Sequence, residues 1–238
     1  MRREKIESDM VFYKFKALDN FEHLFDMLVR ERMYAATLSE LNDPMEGIIK
    51  ADPTVPRSMF DEWESAINDV RIASFTTEKD NELLWAHYAD GGRGCRIGFQ
   101  IPEDVEFSLV KYKNAPTWDG GPIDSGKLQR LLSYKLSPWR YERECRVVLK
   151  NNMYIPIKVT SIEFGPLVPE EKRKMLEHMI ELLKPNVSLS HKRFWGKVNP
   201  IHTTGRPVKV VIRYPKGCER CEDCESRADK INRMSESS

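Results

Sequence analysis

Three stretches combine carboxylates, basic side chains and aromatic rings at spacings that packing alone does not demand. They are Leu41-Asn-Asp-Pro-Met-Glu-Gly47, the segment Leu83 to Phe99 with Trp85, His87 and Tyr88, and the segment Lys135 to Val148 with Glu142, Glu144 and Arg146. On a strand, Glu144 and Arg146 share one face, so the guanidinium can orient the carboxylate or bind phosphate. Asp43, Glu46, His87, Glu142 and Glu144 also supply enough oxygen and nitrogen ligands for magnesium or manganese, the set a nuclease or phosphohydrolase would use. No compact His-Glu-x-x-His motif accompanies them, so that reading stands behind.

Each of these residues has a plainer reading. Glu144 and Arg146 can be an ordinary same-face pair on a partly exposed strand. Trp85, at helical spacing from Leu84 and Tyr88, suits a core position better than a ligand platform, and His87 suits a satisfied buried hydrogen bond. Asn42 and Asp43 fit an Asx-type turn. Gly91, Gly92 and Gly94 are a helix stop, because no Lys-Ser/Thr follows as a phosphate-binding loop requires. The Lys192-Arg193-Phe194-Trp195 stretch offers charge and rings to a nucleic acid, as in a binding or sensor module. Its favoured reading packs Trp195 inward and leaves the basic pair in solvent.

Positioning such groups requires a sheet, and the pattern predicts one. Val11–Lys16 alternates as a strand. Asp19 and Glu22 make a capping-box-like start to a helix carrying Phe21, Leu24, Phe25, Leu28 and Val29 on one stripe and ending near Arg30–Arg32. Further strands are expected at Tyr34–Leu38, Val70–Phe75, Cys95–Phe99, Phe107–Tyr112, Glu144–Leu149, Tyr154–Ile157, Ser161–Phe164 and Pro207–Tyr214. Helices are expected at Ser58–Asp69, around Leu83–His87, at Lys127–Leu136 and from about Pro169 to Leu183, the last with Met175, Leu176, Met179, Ile180 and Leu183 on one face. Asn114–Gly126 reads as a loop. Without regular strand–helix alternation the fold class is α+β, a mixed, mainly antiparallel sheet with several packed helices. The expected organisation is an N-terminal extension at 1–10, one domain at 11–215 and a charged, cysteine-containing flexible tail at 216–238.

In order and spacing, Tyr13-Lys-Phe-Lys16, Asn42 to Glu46, Leu84 to Phe99 and Trp139 to Arg146 resemble a widespread bacterial domain-of-unknown-function family. Lys16 stands where that family has arginine, replacing a planar bidentate donor with a point charge. Met45 replaces phenylalanine. More distantly, the layout resembles NAD-dependent ADP-ribosyltransferases, including DNA-modifying toxins. That resemblance implies an ADP-ribosyltransferase-like fold and an NAD-consuming enzyme, toxin or effector, acting in bacterial conflict or phage defence. It makes Glu144 the catalytic carboxylate, with Glu142 second and Arg146 beside them. Tyr13, Lys16, Trp85, His87 and Tyr88 would bind NAD, and the acceptor would be a protein or nucleic acid.

Composition limits the alternatives. Among 238 residues, 38 Lys and Arg offset 37 Asp and Glu, for a net charge of +1. A coat for nucleic acid usually has a marked basic excess, which is absent. No apolar run of about 18 residues predicts a membrane span, and the first residues lack a secretory signal's apolar core, so a cytoplasmic protein without membrane partner is expected. Cys95 and Cys145 read as buried, reduced thiols. Cys218, Cys221 and Cys224 have zinc-compatible spacing, but a closed site needs a fourth ligand, for which only His202, Cys95 or Cys145 are at hand. A reduced cysteine tail without metal is the favoured reading.

Overall fold

Phe12–Lys16 puts Phe12, Lys14 and Lys16 on one face of its pleat and Tyr13 and Phe15 on the other, and this is strand β1 of the computed structural model. The structure describes residues 10–193, except Asn20 and Pro44. The chain divides into two units, Met1–Arg193 and Phe194–Ser238. Helix α1 (Phe21–Arg30) buries Leu24, Met27 and Leu28, while Val29 turns outward. Short strands β2 (Arg32–Tyr34), β3 (Ala36–Thr37) and β4 (Lys50–Ala51) follow, then α2 (Phe60–Ile67), β5 (Val70–Thr76), α3 (Glu82–Tyr88) and β6 (Cys95–Gln100). Next come β7 (Ser108–Leu109), β8 (Lys111–Tyr112), β9 (Thr117–Trp118), α4 (Ser125–Leu131), β10 (Tyr134–Lys135) and β11 (Glu144–Lys150). The described part closes with β12 (Tyr154–Pro156), β13 (Lys158–Phe164), α5 (Glu170–Leu183) and β14 (Ser188–His191).

Among the described residues the main sheet runs β14-β13-β6-β1-β5-β11-β7, with β3 as a further partner of β5. All its pairings are antiparallel except β13 with β14. The protein is thus α+β, with a mainly antiparallel sheet and several packed helices. Alternation along β5 and β11 sorts side chains to two cores. Ala73, Phe75, Cys145 and Val147 face a cluster with Phe12, Leu24, Leu28, Leu176 and Ile180 from β1, α1 and α5. Val70 and Ile72 face a second cluster with Trp63, Trp118, Leu128 and Leu132. Phe15, Leu84, Trp85 and Ala89 form a third under α3.

One irregularity in the sheet matters most for a site. β1 meets β5 at a single register position, Tyr13 opposite Thr76, whereas β5 pairs with β3 at Ala36–Ile72 and Thr37–Arg71. Ser74 lies between these two contacts, and its carbonyl accepts a hydrogen bond from Lys14 Nζ at 2.6 Å instead of a strand partner. The sheet is therefore split on this edge of β5.

Several expectations are corrected. The strand expected at Tyr34–Leu38 is broken into β2, β3 and a 3-10 turn at Leu38–Glu40. The strand expected at Phe107–Tyr112 is two two-residue pieces. The Asn114–Gly126 loop holds β9, and its Trp118 is fully buried. The helix expected at Lys127–Leu136 stops at Leu131, and Tyr134–Lys135 pairs in parallel with β8 instead. On α5 only Leu176 and Ile180 are buried; Met175, Met179 and Leu183 are exposed. The expected Pro207–Tyr214 strand, the 215/216 boundary, His202 and the three tail cysteines lie outside the described residues.

Candidate functional site

The rigid part of the site begins where α4 ends. Leu132 N–H closes onto Leu128 O, Ser133 Oγ donates to Gln129 O at 2.5 Å, and Arg146 Nη1 donates to Leu132 O at 2.8 Å. With those terminal carbonyls satisfied, the chain leaves the helix and extends through β10, which delivers Lys135. A 3-10 segment at Ser137–Glu142 then leads into β11 through Arg143, whose φ of 41° is left-handed. This turn lets both Glu142 and Glu144 face Lys135, although Arg143 itself is exposed. Asn81 ties α3 to the same segment: its side chain accepts from Leu83 N at 3.0 Å, capping the helix, and donates to Tyr141 O at 2.7 Å. Gln129 grips β11 by donating to Arg146 O and accepting from Val148 N, at 2.7 and 2.8 Å.

At the centre, the Lys135 ammonium sits among three carboxylates, 2.7 Å from Glu142 Oε2, 3.0 Å from Glu46 Oε1 and 3.3 Å from Glu144 Oε2. Arg146, fully buried, donates from Nε to Glu144 Oε1 at 2.7 Å and from Nη2 to Glu144 Oε2 at 3.1 Å, and its Nη2 also meets Glu46. Tyr88 donates its hydroxyl to Glu142, while the Tyr112 hydroxyl accepts from Glu144 N at 2.7 Å. Three carboxylates thus face two cations in a buried cluster, an arrangement that is costly unless every member is paired.

The consequences for protonation differ between members. Burial disfavours the Glu144 anion, yet Arg146 by charge and hydrogen bond, with Lys135, holds this carboxyl well below the usual range. Burial raises Glu46, and the Arg146 charge only partly offsets it. Burial also works against the Lys135 cation, but Glu144 and Glu46 overcome it and push its value up. Tyr88 is raised by burial and by its bond to Glu142, so it remains a phenol. The cluster therefore keeps Glu144 ionised and gives it no role as an acid at neutral pH.

A cavity of about 390 Å³ opens at the split beside β5. Its wall includes Tyr13, Lys14 and Lys16 from β1, His87 and Tyr88 from α3, and Glu46, Lys135, Glu142 and Glu144 from the cluster. Volumes of about 300–1,000 Å³ are usual for small-molecule sites. The structure therefore brings together Tyr13, Lys16, His87, Tyr88, Glu142 and Glu144. Two of the expected site residues lie elsewhere. Trp85 is buried in the α3 core, edge-on to Phe15 with centroids 5.2 Å apart, so its ring offers no face to the cavity. Arg146 lies behind the wall and reaches it only through Glu144 and Glu46.

Other expectations resolve in the same terms. Asp43 accepts from Met45 N at 2.9 Å, the Asx turn that presents Glu46 to the cluster. His87 is exposed at the rim rather than buried, with Tyr141 at a centroid distance of 5.9 Å. Lys192 is buried, not solvated, and pairs with Glu82 at 2.8 Å; Phe194 and Trp195 lie outside the described residues. Among the described residues no group of three or more His, Cys, Asp or Glu side chains is arranged to hold a metal. The three carboxylates that a divalent ion would use converge instead on an ammonium. Lys14, Lys135 and Tyr112 were not singled out from the sequence. Lys135 falls within the helix expected at Lys127–Leu136, and Lys14 within the strand expected at Val11–Lys16, where alternation alone does not mark it as a site residue.

Among known protein families, curated proteins and solved structures, none matches the chain.

Proposed function

We propose that the chain is an NAD-consuming enzyme, an ADP-ribosyltransferase or NAD glycohydrolase built on an ADP-ribosyltransferase-like fold, with Glu144 as its electrostatic catalyst. The observation that carries this reading is the meeting of Lys16, Tyr88 and Glu144, its carboxyl held well below the usual range by Arg146, on the wall of one cavity. The resemblance in the Tyr-Lys-Phe-Lys and Glu-x-Glu-x-Arg segments supplies the choice of substrate.

Cleavage of the nicotinamide–ribose bond gives neutral nicotinamide and positive charge on the ribose. A buried carboxylate that stays ionised stabilises that charge without first losing a proton. Arg146 and Lys135 fix both oxygens of Glu144, so little reorganisation accompanies charge development. Water or an acceptor hydroxyl then bonds to the ribose carbon and releases its proton, for which Glu46, raised by burial on the same wall, is the suited carboxylate. Tyr88 offers a ring beside the nicotinamide, and Lys16 a cation for the phosphates. Because Lys135 fills the space between the carboxylates, no divalent ion is required in this scheme.

The test is release of free nicotinamide from NAD, followed by chromatography, with and without nucleic acid or protein extract as acceptor. The unaltered chain releases nicotinamide, chelators do not affect it, and Glu144→Gln lowers the rate about 100-fold or more. Absence of nicotinamide under all these conditions removes the proposal.

A further inference from the structure

The cavity's acidic residues all have partners of their own. Asp26 is gripped by Arg32, Nε and Nη2 each 3.0 Å from its oxygens. Glu40 accepts from Thr37 N at 2.7 Å and from the Tyr34 hydroxyl. Glu46, Glu142 and Glu144 belong to Lys135, Arg146 and Tyr88. Lys14 is the contrast. Among the described residues no carboxylate forms an ion pair with it, and its one direct bond is to the neutral Ser74 carbonyl. An ammonium has three donors, so two remain without an acceptor. Lys16 lies on the same face of β1, two residues or about 7 Å along the strand, and lines the same cavity.

A half-buried ammonium bonded directly only to a carbonyl, with Glu144 and Glu142 attracting it without bonding to it, is costly, and the cost is removed either by losing the proton or by a bound anion. Burial, then the nearby Lys16, lower Lys14 to about 8, which still leaves it charged at neutral pH. Repulsion between two lysines is a liability for the empty fold and an asset for a ligand bearing two linked anionic groups.

We propose that Lys14 and Lys16 together form a receptor for a diphosphate group, with Lys14 as a binding residue in its own right rather than a strut that closes the split sheet. The proposal rests on the NAD reading only in its choice of a nucleotide as one source of that group; free inorganic pyrophosphate is the other. The receptor lies on the β1 wall of a cavity that the carboxylate cluster also lines, so a nucleotide with its phosphates against the lysines can turn its sugar towards Glu144.

Calorimetric titration of the full chain with inorganic pyrophosphate, and separately with ADP-ribose, tests this without any turnover. Lys14→Gln removes the charge and leaves an amide N–H one bond short of the lysine Nζ, so binding lost without loss of melting temperature marks a receptor, and a fall in melting temperature with binding intact marks a strut. The expected result is at least tenfold weaker binding in Lys14→Gln and in Lys16→Gln, with melting temperatures no lower than that of the unaltered chain. Weakening seen with ADP-ribose alone assigns the receptor to a nucleotide, and weakening with pyrophosphate alone to the free anion. Equal affinity in Lys14→Gln, or no binding of either probe to the unaltered chain, overturns the receptor. Pyrophosphate binding that depends on Lys14 in a chain inert towards NAD would overturn the reaction and keep the receptor. NAD cleavage that Lys14→Gln leaves unchanged, with neither probe bound, would do the reverse.

Discussion

Arg146 holds both oxygens of Glu144, at 2.7 Å through Nε and 3.1 Å through Nη2, although the two residues are neighbours on one strand face. The same guanidinium reaches Glu46, 100 residues earlier, and the Leu132 carbonyl. Arg146→Met therefore leaves two buried carboxylates short of a cation and a helix-end carbonyl without its donor. Breaking a buried pair from one side costs about 3–5 kcal/mol. Urea unfolding at pH 7 should show that loss. Arg146→Lys should recover little of it, because a point charge cannot replace four directed contacts. Wild-type stability in Arg146→Lys would show that charge alone suffices.

How far these contacts can be read from sequence depends on their range. β1, α1, β5, α3, β11 and most of α5 follow from local periodicity, and Glu144 and Arg146 are legible because a strand puts alternate residues on one side, whereas Glu142 joins them only through the left-handed turn at Arg143. Lys135 is not legible. The Lys127–Leu136 stretch has helical spacing, and only Arg146, taking the Leu132 carbonyl, and the parallel pairing of β10 with Lys111–Tyr112 end the helix early. β14 is likewise hidden, since Ser188-Leu-Ser-His191 is a polar strand whose partner among the described residues is β13 alone. The inward charge of Lys14 depends on the split between β1 and β5, a tertiary feature with no local signature. The net charge of +1 is equally uninformative, because three carboxylates and two cations of the cluster nearly offset one another within it.

Acid stability should be governed by two carboxylates of opposite sign. Glu144 is depressed below its ordinary value of 4.5, so the unfolded chain takes up that proton first. Its stabilisation is complete above about pH 4.5 and is lost as pH falls through the lower folded value. Glu46 is raised, so the folded chain takes up its proton first, and its destabilisation fades between its folded value and 4.5. Urea midpoints should therefore hold or rise slightly from pH 7 to 5 and fall steeply below about 4.5. Glu144→Gln should flatten the acid limb. A steady decline from pH 7 to 5 would contradict the assignment.

Lys135→Met tests the ammonium at the cluster's centre. Three carboxylates then face Arg146 alone, and the expected loss is about 3–5 kcal/mol at pH 7. Because surplus carboxylates can relieve themselves by protonation, the deficit should be smaller at pH 5 than at pH 7. Thermal unfolding at both values measures it. An equal deficit at both would mean that lost packing, including the contact with the Trp139 ring 4.8 Å away, dominates over charge.

Gly94 links the helix that bears Tyr88 to the strand that bears Lys16. A Cβ there would lie 2.2 Å from Lys16 O and 2.8 Å from Ala89 Cα, both backbone atoms, so neither can step aside as a side chain would. Gly94 N also donates to Ala89 O at 2.8 Å, and Gly94 O accepts from Gly165 N at 2.9 Å, which pins the glycine from both sides. Gly94→Ala must therefore push β1 and the end of α3 apart, at a cost of about 3 kcal/mol, the upper end for overpacking. In a chain of this size that is roughly 6–12 °C in melting temperature. Gly126 is the control. It lies in α4, a Cβ there would meet only Asp124 Oδ1 at 3.4 Å, and alanine suits a helix better than glycine, so Gly126→Ala should raise stability slightly. Gly94→Ala should also weaken pyrophosphate binding, because Lys16 moves with its carbonyl, whereas Gly126→Ala should leave binding unchanged. A Gly94→Ala chain that melts like the unaltered protein would show that β1 and α3 can separate freely, and the fixed position of Lys16 opposite the carboxylates would lose its basis.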